Sequence, residues 1–396
     1  MPPLTDAASS ELGYVVLLFA LFVVPRVLQR WRLPSAITSF ALGAVSGVGL
    51  HLYGDDATIH LLATFGIVAL FLFAGLEVDL RALRRGARYL GLHLAVSTVL
   101  LALGAWVVTA TFGIAPRPSL LIALAVLTPS TGFILDALGG FGLTPEEQFW
   151  VKSKAIASEL LALLLLFVTL QSTTAARFAL STLFLGTLIA LLPPIFRLFA
   201  VKIAPYAPKS EFAFLLMMAL LTAYATRRLG VYYLVGAFLV GVTARRFRLA
   251  LPAMASERML HAVEVFASFF VPFYFFHAGT TLRRYDLSFG SLAVGAAFVV
   301  VAVPLRVATV TLLRRQALGE SFRASMRIAV PMLPTLVFTL VLAGILRETF
   351  GTGGPVFGGL IVYAVVTTLM PGLLFGAPAP VFDAPGLPPA TDDPAA

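Results

Sequence analysis

The sequence predicts an all-α polytopic membrane protein of about thirteen transmembrane helices, built from two inverted repeats that each contain a broken helix. Three observations carry this. The 396 residues are 59% hydrophobic and 12% charged, where soluble domains carry roughly 25% charged residues. The apolar residues fall in blocks long enough to cross a hydrocarbon layer of roughly 30 Å as helices. Two of those blocks are interrupted by matched clusters of proline with serine or threonine.

The blocks lie at about 12–28, 35–53, 58–78, 88–111, 118–138, 149–171, 178–200, 211–227, 230–244, 260–281, 288–313, 322–346 and 354–376. The first has no basic stretch before it and no small-residue cleavage pattern after it, so it is expected to be a true span and not a signal peptide. The ninth is short. No polar stretch between blocks is long enough to fold alone, so residues 1–376 form one transmembrane domain. Residues 377–396, rich in Pro, Ala and Asp, are expected to be a disordered cytoplasmic tail.

Basic residues orient the chain. With the N-terminus outside, the odd-numbered connections hold 20 Lys and Arg residues, among them Arg81, Arg84, Arg85, Lys152, Lys154, Lys209, Arg248, Arg258, Arg314 and Arg327. The other connections hold 7: Arg117, Arg177, Arg227, Arg228, Arg283, Arg284 and Arg347. That asymmetry places the C-terminus in the cytoplasm of a cell inner (plasma) membrane protein. It also accounts for the net charge of +9 without nucleic acid, for which no basic domain exists.

The fifth block contains Thr128-Pro129-Ser130-Thr131, and the twelfth contains Pro331-Met-Leu-Pro334-Thr335. Proline removes a backbone donor and blocks the carbonyl four residues back. Such breaks are tolerated at membrane depth only where protein or a water-filled cavity satisfies the freed groups. The surroundings match as well. The run from Ala69 to Gly75 lies two spans before the first break, and the run from Pro272 to Gly279 lies two spans before the second. An offset of seven spans gives the units opposite orientation, and paired broken segments of this kind mark binding sites in transporters.

Few ionisable residues lie deep in the blocks. Glu159 is about ten residues into the sixth, roughly 15 Å from its end at 1.5 Å per residue. Arg306 is at similar depth in the eleventh. Two opposite charges at one depth suggest a pair, as a structural ion pair or as an exchangeable carboxylate balanced by an arginine. Intramembrane charges default to function. Glu77 and Asp79 end the third span and are expected to cap it or to pair with Arg81, Arg84 or Arg85. Lys152 and Lys154 are expected to anchor the inner end of the sixth span, and Asp136 to sit at a solvated helix end. His277 is either a packing residue or a proton-linked group.

Other chemistries are excluded. There is no cysteine, hence no disulfide or thiolate site. There is no Walker-type phosphate loop, and the five histidines show no metal-ligand spacing. No cofactor is expected, and no enzyme activity.

At these residues the chain resembles monovalent cation:proton antiporters of the Kef and sodium/hydrogen exchanger type. Leu70-Phe-Leu-Phe-Ala-Gly75-Leu-Glu77-Val-Asp79-Leu80 is similar to a segment of that family. Thr128, Pro129, Ser130 and Thr131 stand at its broken helix, Ser158-Glu159 at its acid motif, Phe273 to Gly279 at its aromatic segment, and Arg306 at its basic residue. The resemblance implies the sodium/proton antiporter fold, with two crossed broken helices and Glu159 between them. It implies a homodimer in the lipid bilayer, with mobile core elements at about 58–171 and 260–376. It further implies that Glu159 binds Na⁺ or K⁺ and H⁺ in turn, that Ser158, Thr128, Ser130 and Thr131 supply oxygens, and that Arg306 compensates charge. Pro129, Pro334, Thr335, His277 and Glu77 are accessory candidates. The sequence departs from the family in having Glu for Asp at the acid, Ser158 before it, and Leu333-Pro334-Thr335 in the second break. One carboxylate facing one arginine favours electroneutral exchange. A transporter of another solute, such as an organic anion, and a non-transporting sensor are the alternatives.

Overall fold

Each apolar block folds as a helix, or as a helix pair where proline interrupts it, in the computed structural model, which describes residues 4–79, 83–84, 86–207, 210–228, 233–247 and 257–375. Helix α1 (Leu4–Leu28) and α2 (Ser35–Ala44) precede α3 (Ala57–Leu76) and α4 (Ala87–Phe112). The fifth block is α5 (Pro116–Leu127) and α6 (Thr131–Ala137), followed by α7 (Pro145–Gln171) and α8 (Ala175–Leu198). Then come α9 (Glu211–Arg228), α10 (Tyr233–Arg246), α11 (Glu257–Thr280) and α12 (Phe289–Leu318). The twelfth block is α13 (Phe322–Ala329) with a 3-10 turn through Met332, then α14 (Leu336–Phe350), and α15 (Gly354–Phe375) is last. The tail at 377–396 and residues Arg81, Arg85, Lys209 and Arg248 lie outside the described residues, as do the side chains of Asp136 and Arg258.

The protein is an all-helical, multi-pass membrane protein. The count of thirteen spans is not reached by length and apolarity alone. Among the described residues nine helices pass that test, and a tenth span is the pair Phe322–Met332 and Leu336–Phe350, bent by 44°. The shorter Ser35–Gly49 does not pass. Short helices of this kind find their backbone partners within themselves but rely on neighbours for burial.

Helix starts follow local chemistry. Pro145 occupies the first turn of α7, where its missing N–H costs nothing. Thr144 caps the turn by accepting from the Glu147 amide while Glu147 accepts from the Thr144 amide, a reciprocal capping box. Asp56 caps α3 by accepting from the Ile59 amide at 2.9 Å. Asp56 also accepts from the Tyr14 hydroxyl at 2.5 Å, and these donors hold its carboxyl below the usual range despite the opposing pull of burial.

Two pairs of helices approach backbone to backbone, and the two contacts are copies of each other. A side-chain carbon on Gly75 of α3 would fall 2.3 Å from the carbonyl oxygen of Phe238 on α10, and one on Gly241 of α10 would fall 2.3 Å from that of Leu72. On α2 and α11 the same holds for Gly43 against Phe276 and for Gly279 against Phe40. In all four cases the carbonyl belongs to the residue three positions before the partner glycine. The second and third spans of the first unit therefore meet the third and second of the other, the exchange that an inverted repeat predicts. Small residues at helix crossings are the usual device for close packing in membranes. Substituting Gly279 with alanine puts a methyl group at 2.2 Å from a backbone oxygen. It is expected to destabilise the protein by about 1–3 kcal/mol, read as a lowered unfolding temperature in detergent, whereas alanine at Gly344, which has open space around it, should leave that temperature unchanged.

Candidate functional site

The first break follows from its proline. The residue before a proline is driven out of the helical region, and Thr128 is extended at φ −92°, ψ 127°. Ser130 remains extended at φ −92°, ψ 98° before α6 begins. Two carbonyls of α5 thereby lose their helical donors, because Pro129 has no N–H for Ala125 and Ser130 has turned away from Val126. The other repeat supplies both. The Thr339 hydroxyl donates to Ala125 O at 2.7 Å, and the Tyr363 hydroxyl donates to Val126 O at 2.7 Å. The Ser130 amide donates across to Pro334 O at 2.8 Å. The two broken helices thus cross at their breaks, as the resemblance implied.

Arg306 serves the second break in the same way. Its guanidinium donates to Leu333 O at 2.8 Å, to Met332 O at 2.5 Å and to the Tyr363 hydroxyl at 3.0 Å. These carbonyls end the first half of the interrupted helix, where negative partial charge accumulates. The expected direct pair of Arg306 with Glu159 is not formed. The unpaired carbonyls lie nearer to the arginine and are as costly to leave unsatisfied in a membrane interior.

Glu159 is buried, with 3% of its surface exposed. It borders a narrow void with Leu70, Phe71 and Ala74 of α3, Ser130 and Gly132 of the first break, and Val337 and Phe338 of α14. The carboxyl faces the backbone amide and hydroxyl side of Thr131. Its Oε2 and the Thr131 hydroxyl oxygen are both buried without a hydrogen-bond partner. Buried polar atoms are almost always satisfied, so this is a place where a proton or a hard cation has chemistry to complete. Oxygen ligands on a carboxylate and hydroxyls suit such a cation.

The other candidates are spread around this point. Ser130 and Thr131 are buried at the first break. The Thr335 hydroxyl lies 3.2 Å from that of Thr367, at the second break. Thr128 and Pro129 line a separate small cavity with Ser158, His93, Ser97, Thr309 and Arg306. The structure therefore turns Ser158 away from the void at Glu159: its hydroxyl lies 3.3 Å from Nε2 of His93. Adjacent residues on a helix point about 100° apart. Pro334 contributes its carbonyl to the crossing.

A vestibule of about 520 Å³ opens at one end of the molecule. Arg117, Arg177, Arg227 and Arg347, from four connections that share one side by charge, converge on it with Glu348. His277 lines it too, 3.2 Å from His60. Its floor includes Ile67 and Val341, one helical turn from Phe71 and Val337 beside Glu159. The vestibule therefore approaches the acid to within about one turn.

At the other end the charges differ from expectation. Glu77, the residue that caps the C-terminal end of α3, pairs with Lys152 at 3.5 Å; of the arginines expected beside it, Arg81 and Arg85 lie outside the described residues. Arg327 binds Glu147 at 2.6 Å and the Gly142 carbonyl. Lys154 does not anchor an interface. It is fully buried and donates to the Tyr89 hydroxyl at 2.9 Å. The reason is that α7 starts at Pro145, so Lys154 already lies more than two turns inside. Arg314 stacks near the same Tyr89 ring and pairs with Glu320.

Sequence reasoning missed His93, Tyr363, Thr339 and the burial of Lys154. Tyr363 had a readable signal: it follows Glu159 by 204 positions, the offset that separates Gly279 from Gly75. His93 and Thr339 had none beyond being polar in apolar runs.

Residues 16–379 match the profile of the sodium/hydrogen exchanger transmembrane family. The chain is 24% identical over 373 residues to a "Probable Na(+)/H(+) antiporter 3" of Methanocaldococcus jannaschii, covering 89% of this chain and 92% of that protein. Its fold resembles a solved structure of the sodium proton antiporter MjNhaP1 from the same organism at pH 8, with TM-score 0.68, 14% identity and coverage of 94% and 96%. A second structure of that antiporter, an electron-microscopy map, matches with the same TM-score over 92% of this chain and 95% of the other.

Proposed function

The chain belongs to the sodium/hydrogen exchanger transmembrane family, and on that premise we propose that it is a secondary active antiporter exchanging Na⁺ or K⁺ for H⁺. The observation that carries this is Glu159, a buried carboxylate with an unpartnered oxygen between two crossed breaks. Proton and cation compete for it, and the protein exposes it to either side in turn. Ser130 and Thr131 supply neighbouring oxygens, while Thr128 and Ser158 act from the adjoining cavity. Arg306 compensates charge on the helix end and leaves the acid free to titrate.

Among the described residues lining the void, Glu159 is the one acid, which supports one-for-one, electroneutral exchange. The mobile elements are residues 58–171 and 260–376, with the glycine-packed α3 and α11 at their boundary, and the working unit is a homodimer. The N-terminus is outside and the C-terminus is in the cytoplasm of the plasma membrane.

Reconstitution into liposomes with an internal pH-sensitive dye tests this. Na⁺ or K⁺ pulses are expected to drive proton movement that does not depend on membrane potential, and an absence of cation-driven flux throughout the neutral range would overturn it. One observation favours a second reading. Four arginines and one glutamate line the vestibule, and even with Arg347 held by the buried Asp286 the excess of positive charge suits an anionic solute. Transport of an organic anion predicts thermal stabilisation by such anions and none by Na⁺, K⁺ or Li⁺.

A further inference from the structure

Helix α4 presents a largely exposed face, yet His93 on it is 5% exposed and reaches inward to Ser158. One ring nitrogen lies 3.3 Å from the Ser158 hydroxyl. The other, Nδ1, is buried without a protein partner and borders the cavity that Thr128, Pro129 and Arg306 also line. This is a polar link between an outer helix and the residue next to the acid. The void at Glu159 and the cavity at Ser158 lie on different faces of α7, so a tie at Ser158 fixes how α7 is rotated. The rotation decides whether the Glu159 carboxyl points at the breaks.

We propose that His93 is a positioning residue of the acid site: by holding the Ser158 hydroxyl it sets the rotation of α7 and keeps Glu159 aimed at the crossing. The inference rests on Glu159 being the exchanging group. It also explains why a short serine can stand before the acid, since the histidine supplies the length that Ser158 lacks. The charged groups around His93 are Lys154 on α7 and Arg306 on α12, with Tyr89 one turn away on α4 beside Arg314 and its partner Glu320. Among the described residues no carboxylate borders the cavity. The link works as a hydrogen bond and not as a titrating charge, so a side chain with the same reach and an amide end can replace it.

Proteoliposomes carrying His93→Ala, His93→Gln, Ser158→Ala and the double variant His93→Ala/Ser158→Ala provide the test, with Glu159→Gln as control. His93→Ala is expected to raise the apparent KM for the cation roughly tenfold, the scale of one buried hydrogen bond. His93→Gln should return it to within about threefold of the parent with an unchanged pH profile. The double variant should be no worse than His93→Ala, because both remove one link. A parental KM in His93→Ala, additive losses in the double variant, or a His93→Gln as defective as His93→Ala would each overturn the proposal. If His93→Ala does not fold, Ser158→Ala and His93→Gln carry the same comparison. Retained flux in Glu159→Gln would instead overturn the reading on which this one rests.

Discussion

Glu159→Gln is expected to abolish cation-driven proton flux, by at least about a hundredfold, while the protein stays folded. Glutamine has nearly the shape of the carboxyl but cannot take up or release a proton in the working range. Among the described residues no ion pair holds Glu159, so the substitution orphans no buried charge there. Removing a buried carboxylate of this kind leaves stability equal or higher. The check is dye-monitored flux beside thermal unfolding of the same preparation. Loss of flux together with loss of the folded protein would not count as support; loss of flux with an unchanged unfolding temperature would. Flux retained at the parental rate would remove Glu159 from the exchange.

Arg306→Ala is expected to cost about 2–4 kcal/mol of stability, because it strips the donors from two buried carbonyls at once. Transport should fall with it. The pH dependence of the remaining transport should not move. That last feature separates the two roles an arginine could play here. A counter-ion of Glu159 would, when removed, shift the pH at which the acid gives up its proton. A cap on the Met332 and Leu333 carbonyls would change how much protein holds the crossed geometry, and not the proton affinity of the acid. Arg306→Lys should recover part of the stability, since one ammonium cannot reproduce the planar fork that reaches two carbonyls and the Tyr363 hydroxyl together. A shifted pH profile in Arg306→Ala would restore the direct pairing.

The legible parts of this protein were those with a local cause. Pro129 and Pro334 announced the breaks because a missing N–H and a forced extended residue act within a few positions along the chain. Glu159 and Arg306 were legible as deep charges because depth follows from counting residues at a fixed rise. Their partners were not. Whether Arg306 meets a carboxylate or two carbonyls depends on which half-helix arrives beside it from twenty-six residues away, and hydropathy carries no such information. Lys154 was misplaced by a few residues at a helix start: Thr144, Pro145 and Glu147 form a capping box that begins α7 before its apolar run does. Glu77 finds Lys152 across the bundle because the two helices end on the same side, a tertiary fact. The glycines of the aromatic runs read as a repeat signal. Their physical role, letting α3 meet α10 and α2 meet α11 backbone to backbone, became visible only with all four helices in place.

The same crossing explains why two interrupted helices persist in an apolar setting. Thr339, Tyr363 and Arg306 each donate to a carbonyl that a proline or a turn had orphaned. With those carbonyls satisfied by protein, Glu159 Oε2 and the Thr131 hydroxyl stand unmatched beside the first break. The polar chemistry of the breaks is thereby concentrated on the acid.

The most direct measurement is the apparent KM for the transported cation as a function of pH, taken from initial rates in proteoliposomes. If proton and cation compete for the single carboxylate of Glu159, the KM rises as pH falls and saturating cation restores the full rate. A KM that stays constant while the maximum rate falls with pH would mean that the proton acts at another group, and would contradict competition at Glu159.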